Sequence, residues 1–515
     1  MRVKSDERMA THATTNFLAG VIEGFYGPPW TQAERFKLFD WMAGWGLNTY
    51  FYAPKDDLNQ RAIWRQLYSA AEAEALGQLI QACRQRNLRF IYALSPGLDI
   101  RYSSETELEH LKRRFEQMLA LGCQNFALLF DDIPDRMAAE DQKRWGSFAS
   151  AQCHVVNALF RWTRERCPEA RFLFCPTPYC GRMAETKLGG EGYLATIGRE
   201  LLPEIDVFWT GPEIISREIT VAHVQELQTV LRRKPLIWDN LHANDYDGRR
   251  FFCGPYSGRP PELRSAVSGL LINPNTEFAL NFVPLRTLAE FVRGSGTWDA
   301  RQAYLAAMRE WLPYFATPGQ ALALEDLILL GDCYYLPHEE GAEAKALFER
   351  ARDLLARHPA TWGDEAATLR KQAARLREFC FRLTELRHRP LFYALNRRVW
   401  ELREELDLLE RYVAFKSERG NADAVYRPDA HLSGTYRGGM VARLQRLLVP
   451  QADGTITPAS DCGAISSLSP AEGERAGVRG SRPTSSSLLT DPSAPRPSPQ
   501  SSPLRGERKK TTLTP

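Results

Sequence analysis

Between residues 16 and 292 the chain repeats one pattern eight times: a short run rich in Val, Ile, Leu, Phe and Tyr, then a longer stretch with helical spacing. The apolar runs are FLAGVIEGFYG, NTYFYAP, RFIYALSP, NFALLFDD, RFLFCPT, IDVFWTG, PLIWDN and GLLINPN. Such a rhythm is that of a parallel sheet with helical crossovers. Eight units over this length match a (β/α)8 barrel, which typically takes about 250 residues. Periodicity alone does not show closure, so a doubly wound sheet is the alternative. The joints agree with strand-to-helix turns: after the first run, Pro28 and Pro29 break the strand, and Thr31 with Glu34 has the spacing of a capping box.

Past VRGSGTW the pattern becomes helical. Leu369, Ala373, Leu376, Cys380 and Leu383 follow four-three spacing. So do Leu395, Val399, Leu402, Leu406, Leu409 and Val413 behind Pro390, which predicts an antiparallel helical hairpin within a bundle. The bundle reads either as an appendage of a monomer or as a stalk that pairs two copies. From about residue 460 the chain is dominated by Ser, Pro, Gly and Arg, too poor in apolar surface to offset chain entropy. The expected fold class is therefore α/β: a flexible start over 1–15, a (β/α)8 TIM barrel over 16–295, a helical stalk over 296–420, a stretch left open over 421–459, and a disordered tail over 460–515.

Composition narrows the function. A formal net charge of +3 in 515 residues gives no electrostatic case for nucleic acid or an anionic membrane. No apolar run is long enough to span a bilayer, and the ten cysteines are scattered without a CxxC pair. A reduced, cytoplasmic setting is expected. NLHANDYDG gathers His242, Asp245 and Asp247, but a calcium loop read from Gly248 would place Ala243 and Gly254 at ligand positions. Neither a metal nor a cofactor is expected.

In a closed barrel the C-terminal strand ends line the mouth where ligands bind. Here they deliver Gly20 to Tyr26, Lys55 with Asp56 and Asp57, Asp131 with Asp132, Cys175 to Tyr179, Trp209 to Gly211, Trp238 to Asn240, and Asn273 to Asn275. Aromatic surface with a few directed amides, carboxylates and a lysine suits a sugar, whose CH face stacks while its hydroxyls need donors and acceptors. Trp41, Trp45, Trp145 and Trp400 lie in helical patterns and read as packing residues.

Asp131 and Asp132 end an apolar strand, and two carboxylates so close in a partly buried place cannot both ionise at small cost. One can stay protonated while the other is charged. Neighbouring acids on one strand end approach from similar directions, which fits poorly with carboxylates flanking a glycosidic bond. They fit a substrate that supplies its own nucleophile, as a 2-acetamido sugar does through its carbonyl oxygen. Asp131 would hold the acetamido N–H and stabilise the oxazoline, and Asp132 would protonate the leaving oxygen and later deprotonate water. A non-catalytic glycan-binding or scaffolding protein on the same barrel is the alternative, and the intact acid pair argues against it.

At these residues the chain resembles glycoside hydrolase family 84, the O-GlcNAcases and bacterial β-N-acetylglucosaminidases. The matching segments are GVIEGFYGPPWT, LNTYFYAPKDD, YALSPGLDI, FALLFDDIP, FLFCPTPYCG, WTGPEIISREI, IWDNLHANDYDGRRFFCGPYSGR and INPNTEF. The resemblance implies a retaining exo-β-N-acetylglucosaminidase acting on terminal GlcNAc of a glycoconjugate or of an O-GlcNAc-modified protein. It implies that Asp131 orients the acetamido nitrogen and that Asp132 is the acid and base. Gly20, Lys55, Asn240, Asp245 and Asn273 would hold ring hydroxyls, and Tyr179 and Trp238 would enclose the acetamido group with Cys175 nearby. LEDLILLGDCYYLPHEEGAEA is similar to the family's helical stalk, which implies a homodimer.

Overall fold

In the computed structural model each of the eight apolar runs is a strand, and the strands pair in chain order into a closed parallel barrel. They are β1 Leu18–Glu23, β2 Thr49–Tyr52, β3 Arg89–Leu94, β4 Asn125–Leu129, β5 Phe172–Cys175, β6 Asp206–Trp209, β7 Leu236–Asp239 and β8 Gly269–Ile272. β1 closes the ring by bonding β2 on one side, with Gly20 opposite Thr49, and β8 on the other, with Gly20 opposite Leu271. The doubly wound alternative is thereby excluded. The structure describes residues 16–294, 296–419, 423–428 and 438–460. The expectations for 1–15 and, past its first residue, for the tail over 460–515 lie outside the described residues.

Strand side chains alternate, and so there are two apolar layers. Leu18, Ile22, Phe51, Ile91, Ala127, Leu129, Leu173, Phe208, Leu236 and Leu271 fill the barrel interior. Val21, Tyr50, Phe90, Phe126, Phe172, Val207, Ile237 and Leu270 belong to the second layer, beneath the surrounding helices. Burial on both faces is the reason the strands read as continuous apolar runs. The first helix, Gln32–Trp45, starts at the expected capping box: the Glu34 amide donates to Thr31 Oγ1 at 3.3 Å and the Thr31 amide to Glu34 Oε2 at 2.8 Å.

Helices Ala300–Trp311, Leu324–Cys333, Ala342–Leu355, Gly363–Arg382 and Arg389–Arg419 follow the barrel. The last two form the expected hairpin, packed through the apolar stripes and tied by Arg377 to Asp407 at 2.8 Å and to Glu410 at 3.1 Å. In the stretch that the sequence left open stand a helix, Gly439–Leu447, and an antiparallel pair, β9 Leu448–Pro450 with β10 Ile456–Pro458. Helix Arg389–Arg419 meets the mouth side of the barrel: Arg398 pairs with Glu277 and donates to the Arg250 carbonyl at 3.3 Å. No helix among the described residues is long and apolar enough to cross a membrane.

Trp41 and Trp45 pack as expected, with Trp41 stacked against Trp45 and Phe278. Trp400 does not; it is 46% exposed. It follows Val399, a member of the buried stripe, and so is turned about 100° off that stripe onto the outer face.

Candidate active site

The inward series of side chains does not stop where the strands stop. Counting on by two from Ile22, Ala53, Leu129, Trp238 and Leu271 reaches Gly24, Lys55, Asp131, Asn240 and Asn273, all at the C-terminal mouth. Simple strand alternation thus delivers one ammonium, one carboxylate and two amides to a common space. Asp132 should by the same count point away. Its backbone is left-handed instead, φ +50°, and the turn brings its carboxyl back to the mouth.

The two acids have different surroundings. Asp131 Oδ2 accepts from Lys55 Nζ at 2.5 Å, both groups being buried, while its Oδ1 is buried with no hydrogen-bond partner. That oxygen keeps its capacity to accept a hydrogen bond. Asp132 Oδ2 accepts from the Tyr26 hydroxyl at 2.8 Å, and its Oδ1 lies 3.0 Å from Tyr179 Oη. Burial alone would raise the Asp131 carboxyl, but the Lys55 ammonium and the Arg61 guanidinium outweigh it and hold Asp131 below the usual aspartate range. Burial, and next the charge on Asp131, push Asp132 above that range. One acid is charged and its neighbour is poised to carry a proton.

The remaining walls are set by amides and rings. Asn240 Oδ1 accepts from Trp238 Nε1 and from Asn273 Nδ2, each at 3.0 Å, and Asn240 Nδ2 donates to the Ile214 carbonyl at 2.9 Å. Asn273 Oδ1 is a second buried oxygen without a partner. Trp238 stands edge-on to Phe51 and Phe208 and has Lys55 Nζ 5.8 Å from its ring centre. Asp245 joins the site through the Tyr26 amide, which donates to its Oδ2 at 2.9 Å. Beneath β7 the fully buried Arg259 forks onto Asp239 at 2.8 and 2.7 Å, and Tyr256 Oη donates to the same carboxylate at 2.8 Å. That buried pair anchors the strand end that carries Trp238 and Asn240.

Nine of the ten expected site residues are thus gathered around the mouth. The tenth, Gly20, is not: it lies mid-strand in β1, where a Cβ would come within 1.8 Å of the Thr49 carbonyl oxygen. Its absence of a side chain serves the approach of β2. Gly24 is the glycine beside the site, since a Cβ there would lie 2.5 Å from the Trp238 ring. Cys175 is buried near the acids, and burial, then the Asp131 charge, raises its thiol well above normal, which leaves a weak nucleophile. His242 Nε2 is 2.9 Å from the Gly254 carbonyl, and burial lowers its pKa to about 4. Among the described residues no three His, Cys, Asp or Glu are grouped to hold a metal ion. Tyr26 and Arg61 are both hydrogen-bonded to Asp132. Tyr26 continues the inward count from Ile22 and Gly24 and ends the first strand-end run named from the sequence, whereas no sequence pattern marked Arg61.

Comparison with known proteins adds four matches. A family model described as beta-N-acetylglucosaminidase matches residues 19–327. The proteins named Protein O-GlcNAcase from Rattus norvegicus and Mus musculus are each 48% identical over 286 residues, covering 56% of this chain and 31% of theirs. The chain therefore spans about a third of the length of these curated relatives. Among solved structures, an O-GlcNAc hydrolase from Thermobaculum terrenum, in an aspartate-to-asparagine variant, superposes with a TM-score of 0.65 at 29% identity, covering 79% of this chain and 84% of that one.

Proposed function

This chain belongs to the β-N-acetylglucosaminidase family, and from that premise we propose that it is a retaining exo-β-N-acetylglucosaminidase that removes terminal β-linked GlcNAc, with O-GlcNAc on Ser or Thr of proteins as the substrate. The supporting observation is the acid pair: Asp131 charged with one buried oxygen unused, and Asp132 raised beside it. A protein that only held glycans would gain nothing from two neighbouring carboxyls whose proton affinities are driven in opposite directions.

In the first step the acetamido N–H donates to Asp131 while the acetamido oxygen bonds to the anomeric carbon. The glycosidic bond breaks as Asp132 gives its proton to the departing oxygen. In the second, Asp132 takes a proton from water, which bonds to the anomeric carbon and reopens the oxazoline. Two inversions restore the starting configuration. Lys55, Asn240, Asp245 and Asn273 would hold ring hydroxyls; Asn273 Oδ1 is free to accept one, and Lys55 has donors beyond the one given to Asp131. Trp238 and Tyr179 would enclose the acetamido methyl, over Cys175. The substrate reading draws on the names of the relatives, O-GlcNAcase and O-GlcNAc hydrolase.

Substituting fluorine into the N-acetyl group tests the internal nucleophile. Three fluorines weaken the carbonyl oxygen, so kcat/KM for the 4-nitrophenyl glycoside should fall on the order of 100-fold against the parent acetamido sugar. Equal rates for the two sugars would sink the proposal.

We further propose that two copies pair through the helical hairpin. Phe381, Tyr393 and Trp400 are 48%, 67% and 46% exposed on helices Gly363–Arg382 and Arg389–Arg419. Tyr393 and Trp400 share a face at seven-residue spacing, and the Arg403 guanidinium lies over both Phe381 and Trp400. Exposed aromatics with an arginine are the usual anchors of an interface. Trp400→Asp should weaken dimerisation by at least about tenfold in sedimentation equilibrium, and a monomeric wild type at micromolar concentration would refute the pairing. The cytoplasm is the proposed compartment, in keeping with the free thiols of the described cysteines.

A further inference from the structure

Arg61 stands in the loop after β2 and is 8% exposed. Its guanidinium makes two bonds that converge on one residue far along the chain. Nη2 donates to the backbone carbonyl of Asp132 at 3.0 Å, and Nη1 donates to Tyr26 Oη at 2.6 Å. Tyr26 Oη in turn bonds Asp132 Oδ2 at 2.8 Å. One planar fork therefore closes a ring through both the main chain and the side chain of Asp132. The loop under it is stiff: Asp57 Oδ1 accepts from the amides of Asn59 and Gln60, and Gln60 bonds Ser95 through its carbonyl and its side chain.

The chemistry of the donors sets a direction. An arginine has no acceptor, so at Tyr26 Oη the guanidinium must donate and the hydroxyl oxygen must accept. The hydroxyl proton of Tyr26 is then left to point at Asp132 Oδ2, which makes that oxygen an acceptor. Tyr179 Oη also donates to Oδ1, but no arginine holds it in that sense, so it can turn to accept, and the one proton of the acid is favoured on Oδ1 over Oδ2. The second prong on the Asp132 carbonyl holds the left-handed backbone that turns the carboxyl into the mouth.

We infer that Arg61 is a positioning residue that, through Tyr26, fixes which oxygen of Asp132 carries the catalytic proton and holds the Asp132 backbone in its turned conformation. This rests on Asp132 being the acid and base proposed above. Arg61 touches neither sugar nor reacting atoms in this scheme, so its loss shows only where proton delivery limits the rate.

The test compares two β-GlcNAc substrates in the full chain, one with 4-nitrophenol and one with a serine side chain as leaving group. Arg61→Met should lower kcat about 10- to 100-fold on the serine-linked sugar and only a few-fold on the nitrophenyl sugar, with KM within about twofold on both. Tyr26→Phe should show the same split, and the double variant should be no worse than the more damaged single one, because the two act as one unit. Arg61→Lys keeps the charge but not the planar fork and should fail like Arg61→Met. An equal loss on both substrates, a rise in KM alone, additive single effects, or full activity in Arg61→Lys would each overturn the inference. Asp132→Asn measured alongside separates the levels: if it shows no dependence on the leaving group, the acid assignment itself is wrong. If it does and Arg61→Met does not, only the clamp is wrong.

Discussion

Asp131→Asn loses about 10²- to 10⁴-fold in kcat on every β-GlcNAc substrate, whereas Asp132→Asn loses that much only on poor leaving groups and far less on 4-nitrophenyl β-GlcNAc. The contrast follows from the role proposed for each carboxyl. Asp131 would compensate the positive charge of the forming oxazoline whatever departs, and its removal also takes the partner of the buried Lys55 ammonium. Asp132 would supply a proton that a nitrophenolate scarcely needs. Asparagine tolerates the left-handed backbone at position 132, so this variant keeps its loop.

The pH profile of kcat/KM carries the same signature. The proposed first step needs Asp131 charged and Asp132 protonated. Activity should therefore be lost as pH falls through the lowered value of the pair and as pH rises through the raised one, the two limbs belonging to the coupled pair. Asp132→Asn should abolish the basic limb. Asp131→Asn should move it to lower pH, because the negative neighbour that raises Asp132 is gone. Equal turnover and unchanged limbs in all three proteins would refute the assignment.

Arg259→Met is expected to cost about 3–5 kcal/mol of stability, read as a lowered urea midpoint at unchanged slope. The guanidinium is fully buried, forks onto Asp239 and also donates to the carbonyls of Ser216, Arg217 and Ser257. Without it the Asp239 charge keeps, among the described residues, the Tyr256 hydroxyl and the Leu241 amide. Replacing both members, Asp239→Asn with Arg259→Met, should recover part of the loss, since no uncompensated charge is left. A single variant within 1 kcal/mol of wild type would show that the pair is not what anchors the end of β7.

Much of this was legible in the sequence, and the reason is geometric. Strands buried on both faces cannot hide, and alternation by two points from Leu129 to Asp131 and from Trp238 to Asn240 with no tertiary knowledge. Pattern fails where the third dimension decides. Gly20 and Gly24 share the inward parity of β1, and only the Thr49 carbonyl against one and the Trp238 ring against the other tells their roles apart. The return of Asp132 to the mouth depends on one positive φ, and Arg61 reaches it from 71 positions away. Trp400 reads as packing because its neighbour Val399 is on the buried stripe, yet one step along a helix is enough to face solvent.

The seam between β1 and β8 has a consequence for how the chain comes to exist. A ring built strand by strand keeps two raw edges until its last member arrives, and such edges recruit other chains. Any fragment that stops short of Gly269–Ile272 leaves Leu18–Glu23 with one flank unbonded, so truncation ahead of that last strand should yield sticky, self-associating material rather than a smaller folded barrel.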